Sequence, residues 1–234
     1  MDFQDRVVIV TGAAGNLGRA VAAAFAAHGA SLLLVDLNED SLARAYGAAG
    51  ERHLFAPANL LDAAQAESVA QRAVERFGRI DVLANLAGGF RMGEPVHATS
   101  TATLEFLLDL NVRTMLNMSH AAVPHMLAAG RGKVINVGAF SAQKGLAMMG
   151  AYVAAKSAVI RLTESMAAEL REQGINVNCV APTIIDTPEN RAAMPDADPS
   201  RWVAPADLAN VIAFLASDAA RAIHGATVAV TGLS

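Results

Sequence analysis

Short, nearly continuous apolar runs alternate along this chain with longer alanine-rich stretches that carry polar residues at helical spacing. Apolar runs bounded by turn residues, with no polar face of their own, suit strands buried on both sides, as in a parallel sheet covered by helices. Seven such runs predict strands at Arg6 to Val10, Ser31 to Val35, His53 to Ala56, Val82 to Ala84, Lys133 to Val137, Asn176 to Val180 and Thr227 to Val230. The intervals between them predict helices on both faces of a doubly wound α/β sheet. Gly12, Asp36, Asn85, Gly138 and Pro182 all follow strand ends, and sheets of this kind bind ligands beyond those ends, near the point where strand order reverses. The alternation lapses only from Asp186 to Ala204. Pro188, Pro195 and Pro199, with Pro205 at the edge, predict an irregular segment or short helices there, a lid at about 186–204 over the ligand edge.

At 234 residues the chain fits one domain, residues 1–234, with a substantial core. No apolar stretch approaches the roughly 20 residues that span a bilayer. Met1-Asp-Phe-Gln-Asp-Arg6 runs straight into the first strand without the features of a signal peptide. These observations predict a soluble, cytoplasmic protein with no membrane partner. A formal net charge of −4 gives no reason to expect nucleic acid. The single cysteine, Cys179 in Val177-Asn-Cys-Val180, reads as a buried strand thiol. Six scattered histidines lack ligand spacing, so no metal site is expected.

Candidate chemistry lies in two motifs. Gly12, Gly15 and Gly18 fall at three-residue intervals between the first strand and the following helix. Missing side chains there let backbone amides approach a pyrophosphate at the helix N-terminus. Alone the glycines fit any tight strand-to-helix turn. Asp36, however, ends the second strand 18 residues after Gly18, close to the spacing at which a carboxylate accepts hydrogen bonds from an adenosine ribose. The same charge repels a 2′-phosphate, and neither Gly15 nor the Leu37-Asn38 pair supplies a cation against it, so NADH is favoured over NADPH. Arg19 is the possible exception. In the second motif, Tyr152 and Lys156 are four residues apart and adjacent on one helix face. An ammonium beside a phenol favours the phenolate and brings tyrosine, with a free pKa of about 10, toward use in proton transfer.

In this order the motifs resemble the short-chain dehydrogenase/reductase family over nearly the whole chain: Thr11 to Gly18, Asn85-Leu-Ala-Gly88, Asn111, Tyr152 with Lys156, and Ala181-Pro182 followed by Thr187. The resemblance implies a single Rossmann fold and a bound nicotinamide dinucleotide. It implies a cofactor surface from Gly12, Gly15, Asn16, Leu17, Gly18 and Asp36. Asn59 and Leu60 would flank the adenine; Asn85, Ala87 and Gly88 the ribose-nicotinamide region; Pro182, Ile185 and Thr187 the carboxamide end. Asn16 stands where the family usually has a glycine, and asparagine tolerates the left-handed turn better than most residues. By the same resemblance Tyr152 is the proton donor, Lys156 tunes it and binds ribose hydroxyls, and Asn111 supports a water relay. Asn85 and Asn111 also have plain readings, as a turn residue and as a helix asparagine.

The pattern departs from the family at one position. The serine expected 13 residues before the tyrosine is Ala139, so the usual tetrad is incomplete. Ser141 substitutes only if the loop is rearranged; a polar loop residue is its plainer reading. Losing one such donor costs about 10²- to 10³-fold in reactions that build charge on a carbonyl oxygen. The segment Asp186 to Asp198, with Trp202 beyond it, is similar to the lid of quinonoid dihydropteridine reductases, which also lack the serine, and this narrower resemblance implies pterin reduction. The alternatives are a dehydrogenase of a small alcohol or carbonyl compound, and a dinucleotide-binding sensor with little catalysis. Trp202 reads as a lid residue packed on the body. Arg91, His97 and Met148 are loop residues that could border the substrate. Alanine-rich helices around Asn111 and Tyr152 would, by the family resemblance, form a homotetramer or homodimer interface.

Overall fold

Seven strands form one sheet in the order β3-β2-β1-β4-β5-β6-β7, every pair parallel. They are β1 (Val7–Thr11), β2 (Ser31–Asp36), β3 (His53–Pro57), β4 (Val82–Asn85), β5 (Gly132–Val137), β6 (Ile175–Pro182) and β7 (Thr227–Val230). The computed structural model describes all 234 residues, Met1–Ser234. Each strand lies within two residues of the run that predicts it. Asp36, Asn85 and Pro182 close their strands rather than follow them.

Alternation along the strands sends successive side chains to opposite faces. Val8 and Val10 of β1 and Leu32 and Leu34 of β2 enter one core; Val7, Ile9, Leu33 and Val35 enter the other. On the first face lie α1 (Asn16–Ala27) and α8 (Pro205–Ala216), packed on each other; on the second, α3 (Ala63–Phe77) packs against α5 (Thr114–Ala129). The remaining helices are α2 (Glu39–Tyr46), α4 (Thr101–Leu108), α6 (Gly150–Leu170) and α7 (Pro188–Ala193). No helix is long and apolar enough to cross a membrane.

Helix starts follow the local sequence. Asn38, Asp62, Ser100 and Thr187 cap α2, α3, α4 and α7 by accepting backbone N–H bonds. α1 differs: its N-cap is Gly15, with no side-chain cap and no acidic residue in the first turn. Its terminal amides therefore face the sheet's carboxyl edge unclaimed by a side chain. Between β1 and β4 the strand order reverses, and that crevice adjoins this helix end.

The predicted lid holds α7 and a 3₁₀ turn at Pro199–Arg201, bridged to the body by Ile185 pairing with Val203. Trp202 is buried, so it packs on the body as its plainer reading has it. The region around Asn111 is more irregular than a helix. A π-helical turn, Asp109–Arg113, joins α4 to α5, and such bulges gather at functional sites.

Candidate active site

The carboxyl edge opens into a cleft of about 1000 Å³ running from Asp36 to Gly88. Gly12, Gly15, Asn16, Leu17, Gly18, Asp36, Asn59, Leu60, Ala87, Gly88 and Thr187 all line it. At Gly12 the backbone has φ +62°, and a Cβ would lie 3.1 Å from the Ala87 backbone. At Gly18 a Cβ would fall 2.2 Å from the Gly12 carbonyl oxygen. Both positions require glycine, and together they bring α1 against the β1 turn. Thr11 braces the turn from behind, its Oγ1 accepting from the amides of Leu86 and Ala87 at 2.9 and 3.0 Å.

Asp36 holds the same turn. Its carboxylate accepts from Ala14 N at 2.9 Å and Leu37 N at 2.8 Å. A carboxylate offers about four lone-pair sites, so capacity remains for two ribose hydroxyls. Arg19 and Arg44 line the same mouth. Arg19 donates to Asn16 Oδ1 at 2.7 Å and Arg44 to Ser41 Oγ at 3.0 Å. Arg19 stands out in the sequence beside the glycine turn, whereas Arg44 reaches the mouth from α2 only through the fold. Across the cleft Asn16 Nδ2 donates to Glu189 Oε2 at 2.8 Å, tying the glycine turn to α7 of the lid.

At the inner end, Lys156 and Asn111 converge on Gly88. A Cβ there would lie 2.8 Å from Asn111 Oδ1 and 3.4 Å from Lys156 Nζ. Asn111 accepts from Gly89 N at 3.1 Å and donates to the carbonyls of Gly89 and Leu107 at 3.1 and 2.9 Å. It thereby stitches the loop after β4 to the π turn. Lys156 is buried and donates to the Val137 carbonyl at 2.8 Å. Burial pulls its pKa down to about 8. Tyr152 lies one turn earlier on α6, its ring edge-to-face with Phe90 at 4.8 Å.

Residues 6–198 match the family model described as short chain dehydrogenase.

The chain belongs to the short-chain dehydrogenase family.

It is 37% identical over 240 residues to cis-4-hydroxycyclohexanecarboxylate dehydrogenase of Sinomonas cyclohexanicum, covering 98% of this chain and 96% of that protein. It is 33% identical over 239 residues to D-threitol dehydrogenase of Mycolicibacterium smegmatis, covering 97% and 92%. A short-chain type dehydrogenase/reductase from Mycobacterium ulcerans superposes with a TM-score of 0.93 at 29% identity, over 100% of this chain and 90% of that one. Enzymes of this family work with a nicotinamide dinucleotide, and the cleft fits one: two obligatory glycines form a cradle a side chain would fill, beside an uncapped helix end and a carboxylate.

Within this short-chain dehydrogenase several expectations change. Asn85 does not line the cleft. It is buried and donates to Asn136 Oδ1 at 2.9 Å, while Asn136 donates to Thr163 Oγ1 at 2.9 Å. Its side chain ties β4 to β5 and α6, and Leu86, Ala87 and Gly88 face the cleft instead. Pro182 is buried at the end of β6 and Ile185 is held in the bridge to Val203, and neither is among the residues that line the cleft. Tyr152 is not held low: burial pushes its hydroxyl up to about 12, and the Lys156 ammonium donates to the Val137 carbonyl. Ala139 is buried in a small apolar cluster with Met115, Val159, Ile160 and Cys179, against which Tyr152 packs. Ser141 lies beyond it in the 3₁₀ turn Phe140–Gln143, with no hydrogen bond to Tyr152 or Lys156. The serine's place is apolar. Arg91 and Met148 line a recess of only about 10 Å³, and the Arg91 guanidinium sits 4.4 Å from the Phe106 ring centroid. His97 lies in the 3₁₀ turn Val96–Ala98.

Proposed function

We propose that this enzyme interconverts a small secondary alcohol and its carbonyl compound, with Tyr152 exchanging the hydroxyl proton. The convergence of Lys156 and Asn111 on Gly88, which lines the inner end of a dinucleotide-sized cleft, with Tyr152 one helical turn before Lys156, carries this reading. The names of its relatives, a hydroxycyclohexanecarboxylate and a threitol dehydrogenase, support an alcohol ahead of a pterin. A bound nicotinamide dinucleotide supplies the hydride acceptor or donor. Tyr152, protonated at neutral pH, holds the proton that a reduced carbonyl oxygen needs. Lys156, with a pKa of about 8, sits one helical turn away to replenish it. Asn111 keeps the Gly88-Gly89 backbone in register with both.

NAD(H) is the proposed cofactor, because Asp36 lines the mouth of the cleft, where its charge would oppose a 2′-phosphate, while Arg19 and Arg44 there are engaged by Asn16 and Ser41. We also place the enzyme in the cytoplasm, in keeping with its single buried thiol. Quinonoid dihydropterin reduction is the second reading. The apolar Ala139 site favours it, since a conjugated acceptor needs less help from a hydroxyl donor than an isolated ketone does.

The deciding assay sets wild type beside Tyr152→Phe. NAD⁺ and NADP⁺ reduction is followed with hydroxycyclohexane carboxylates and tetritols, and NADH oxidation with quinonoid dihydropterin. The expected result is alcohol-dependent NAD⁺ reduction that falls by about 10²-fold or more in the variant, with NADH binding retained. Faster pterin turnover would replace the alcohol reading, a preference for NADP⁺ would overturn the Asp36 argument, and NADH binding without any turnover would leave a sensor.

A further inference from the structure

The amino edge of the sheet, opposite the cofactor cleft, holds a second cavity of about 350 Å³ where β1, β4, β5 and β6 begin. Arg6, Arg131, Lys133, Arg171 and Arg221 line it, against three carboxylates, Asp2, Asp81 and Asp218. An excess of cations here runs against a chain whose formal net charge is −4.

The carboxylates do not neutralise the cluster evenly. Asp81, almost fully buried, is already claimed: it accepts from Val7 N at 2.9 Å, pairs with Arg79, and has Arg6 and Arg131 at 3.6 and 3.8 Å. Asp218 pairs with Arg6 at 3.1 Å. Neither Arg171 nor Arg221 forms an ion pair, and both are exposed at the rim. Lys133 is half-buried, and its hydrogen bond goes to a neutral group, Asn176 Oδ1 at 2.6 Å. Asn176 is itself fixed by donating to the carbonyls of Arg221 and Ile223, both at 2.9 Å. Burial lowers the Lys133 pKa, and the neighbouring charge of Arg6 adds to that against the pull of Asp218.

A partly desolvated ammonium that forms no direct ion pair is costly. A concave wall with arginines at its rim is the arrangement that binds carboxylate and phosphate groups by paired N–H donors.

We propose that this cavity is a binding site for a small anion carrying two or more negative charges on phosphate or carboxylate groups, separate from the dinucleotide cleft. Its occupant would join the first residues of four strands and stabilise the folded chain by mass action. The dinucleotide binds at the other end of the same strands, so the two ligands would not compete.

The test uses the full chain saturated with NAD⁺, so that the glycine turn is occupied. Inorganic pyrophosphate and citrate are titrated at low salt by calorimetry and followed by thermal melting. Saturable binding at one site per chain is expected, with a melting temperature raised by several degrees. Arg171→Gln with Arg221→Gln, both rim residues, should weaken it tenfold or more while the melt without ligand stays near wild type. Arg161→Gln, an exposed cation elsewhere, should leave it unchanged. Tighter binding of one probe would identify phosphate or carboxylate chemistry, and either supports the site. A non-saturating response, equal binding in the rim variant, or displacement of NAD⁺ by the probe would overturn it.

Discussion

Lys156 shows how one side chain serves function at a cost to the fold. It is fully enclosed at the end of β5 and keeps an ammonium in a place where burial lowers its pKa from 10.5 to about 8. Below about pH 8 both folded and unfolded chains carry the proton, so the whole desolvation cost is present. Between about 8 and 10.5 the unfolded chain holds more protons, and stability contributed by this group rises with pH. Lys156→Met, similar in volume, should therefore raise stability by about 1–2 kcal/mol at pH 7 while abolishing turnover. Its advantage over wild type should close as the pH of denaturant titrations is raised from 8 to 10. An advantage independent of pH would mean that the ammonium's charge is not the destabilising element. Ala139 is the converse case, an apolar residue in the cluster against which Tyr152 packs. Ala139→Ser should raise kcat on ketones by about 10- to 10²-fold if carbonyl charge develops beside Tyr152, and lower stability by about 1 kcal/mol through the buried hydroxyl. An unaltered ketone rate would favour the conjugated substrate.

The β1–α1 turn is the element proposed to hold the cofactor, and its tolerances are narrow. A Cβ at Gly18 would meet the Gly12 carbonyl at 2.2 Å and Ala13 Cα at 2.7 Å, both backbone atoms with no freedom to swing away. Gly18→Ala should weaken NADH binding by at least about tenfold, since 1 Å displacements in positioning groups have effects of that order. It should also lower the melting temperature by several degrees, read by fluorescence titration and thermal melting. Much of this element was legible in advance, because glycine spacing and an uncapped helix start are local properties. The irregular turn at Asp109–Arg113 was not. Asn111 breaks the regular helix there through bonds to Gly89 as well as to Leu107, and Gly89 lies 22 positions away.

Across the whole molecule, Leu104 on α4 and Leu116 and Leu127 on α5 remain exposed. We infer that a second copy of the chain covers them. Light scattering on purified protein should give a dimer or tetramer, and Leu116→Glu should shift it toward monomer; a monomeric wild type would remove the inference. The strands, their order of appearance and the tight glycine turn after β1 could be read from the chain itself. Each depends on a continuous apolar run, a helical spacing or a glycine interval within a few residues. Folding decided the rest, by bringing together groups that no local period relates. Asn85 was drawn into the sheet by Asn136, 51 positions on. The Tyr152 hydroxyl was raised by burial, and five cations from distant segments met at the opposite edge. Backbone periodicity is a property of neighbours in sequence. Burial, charge pairing and the pKa values they set are properties of neighbours in space.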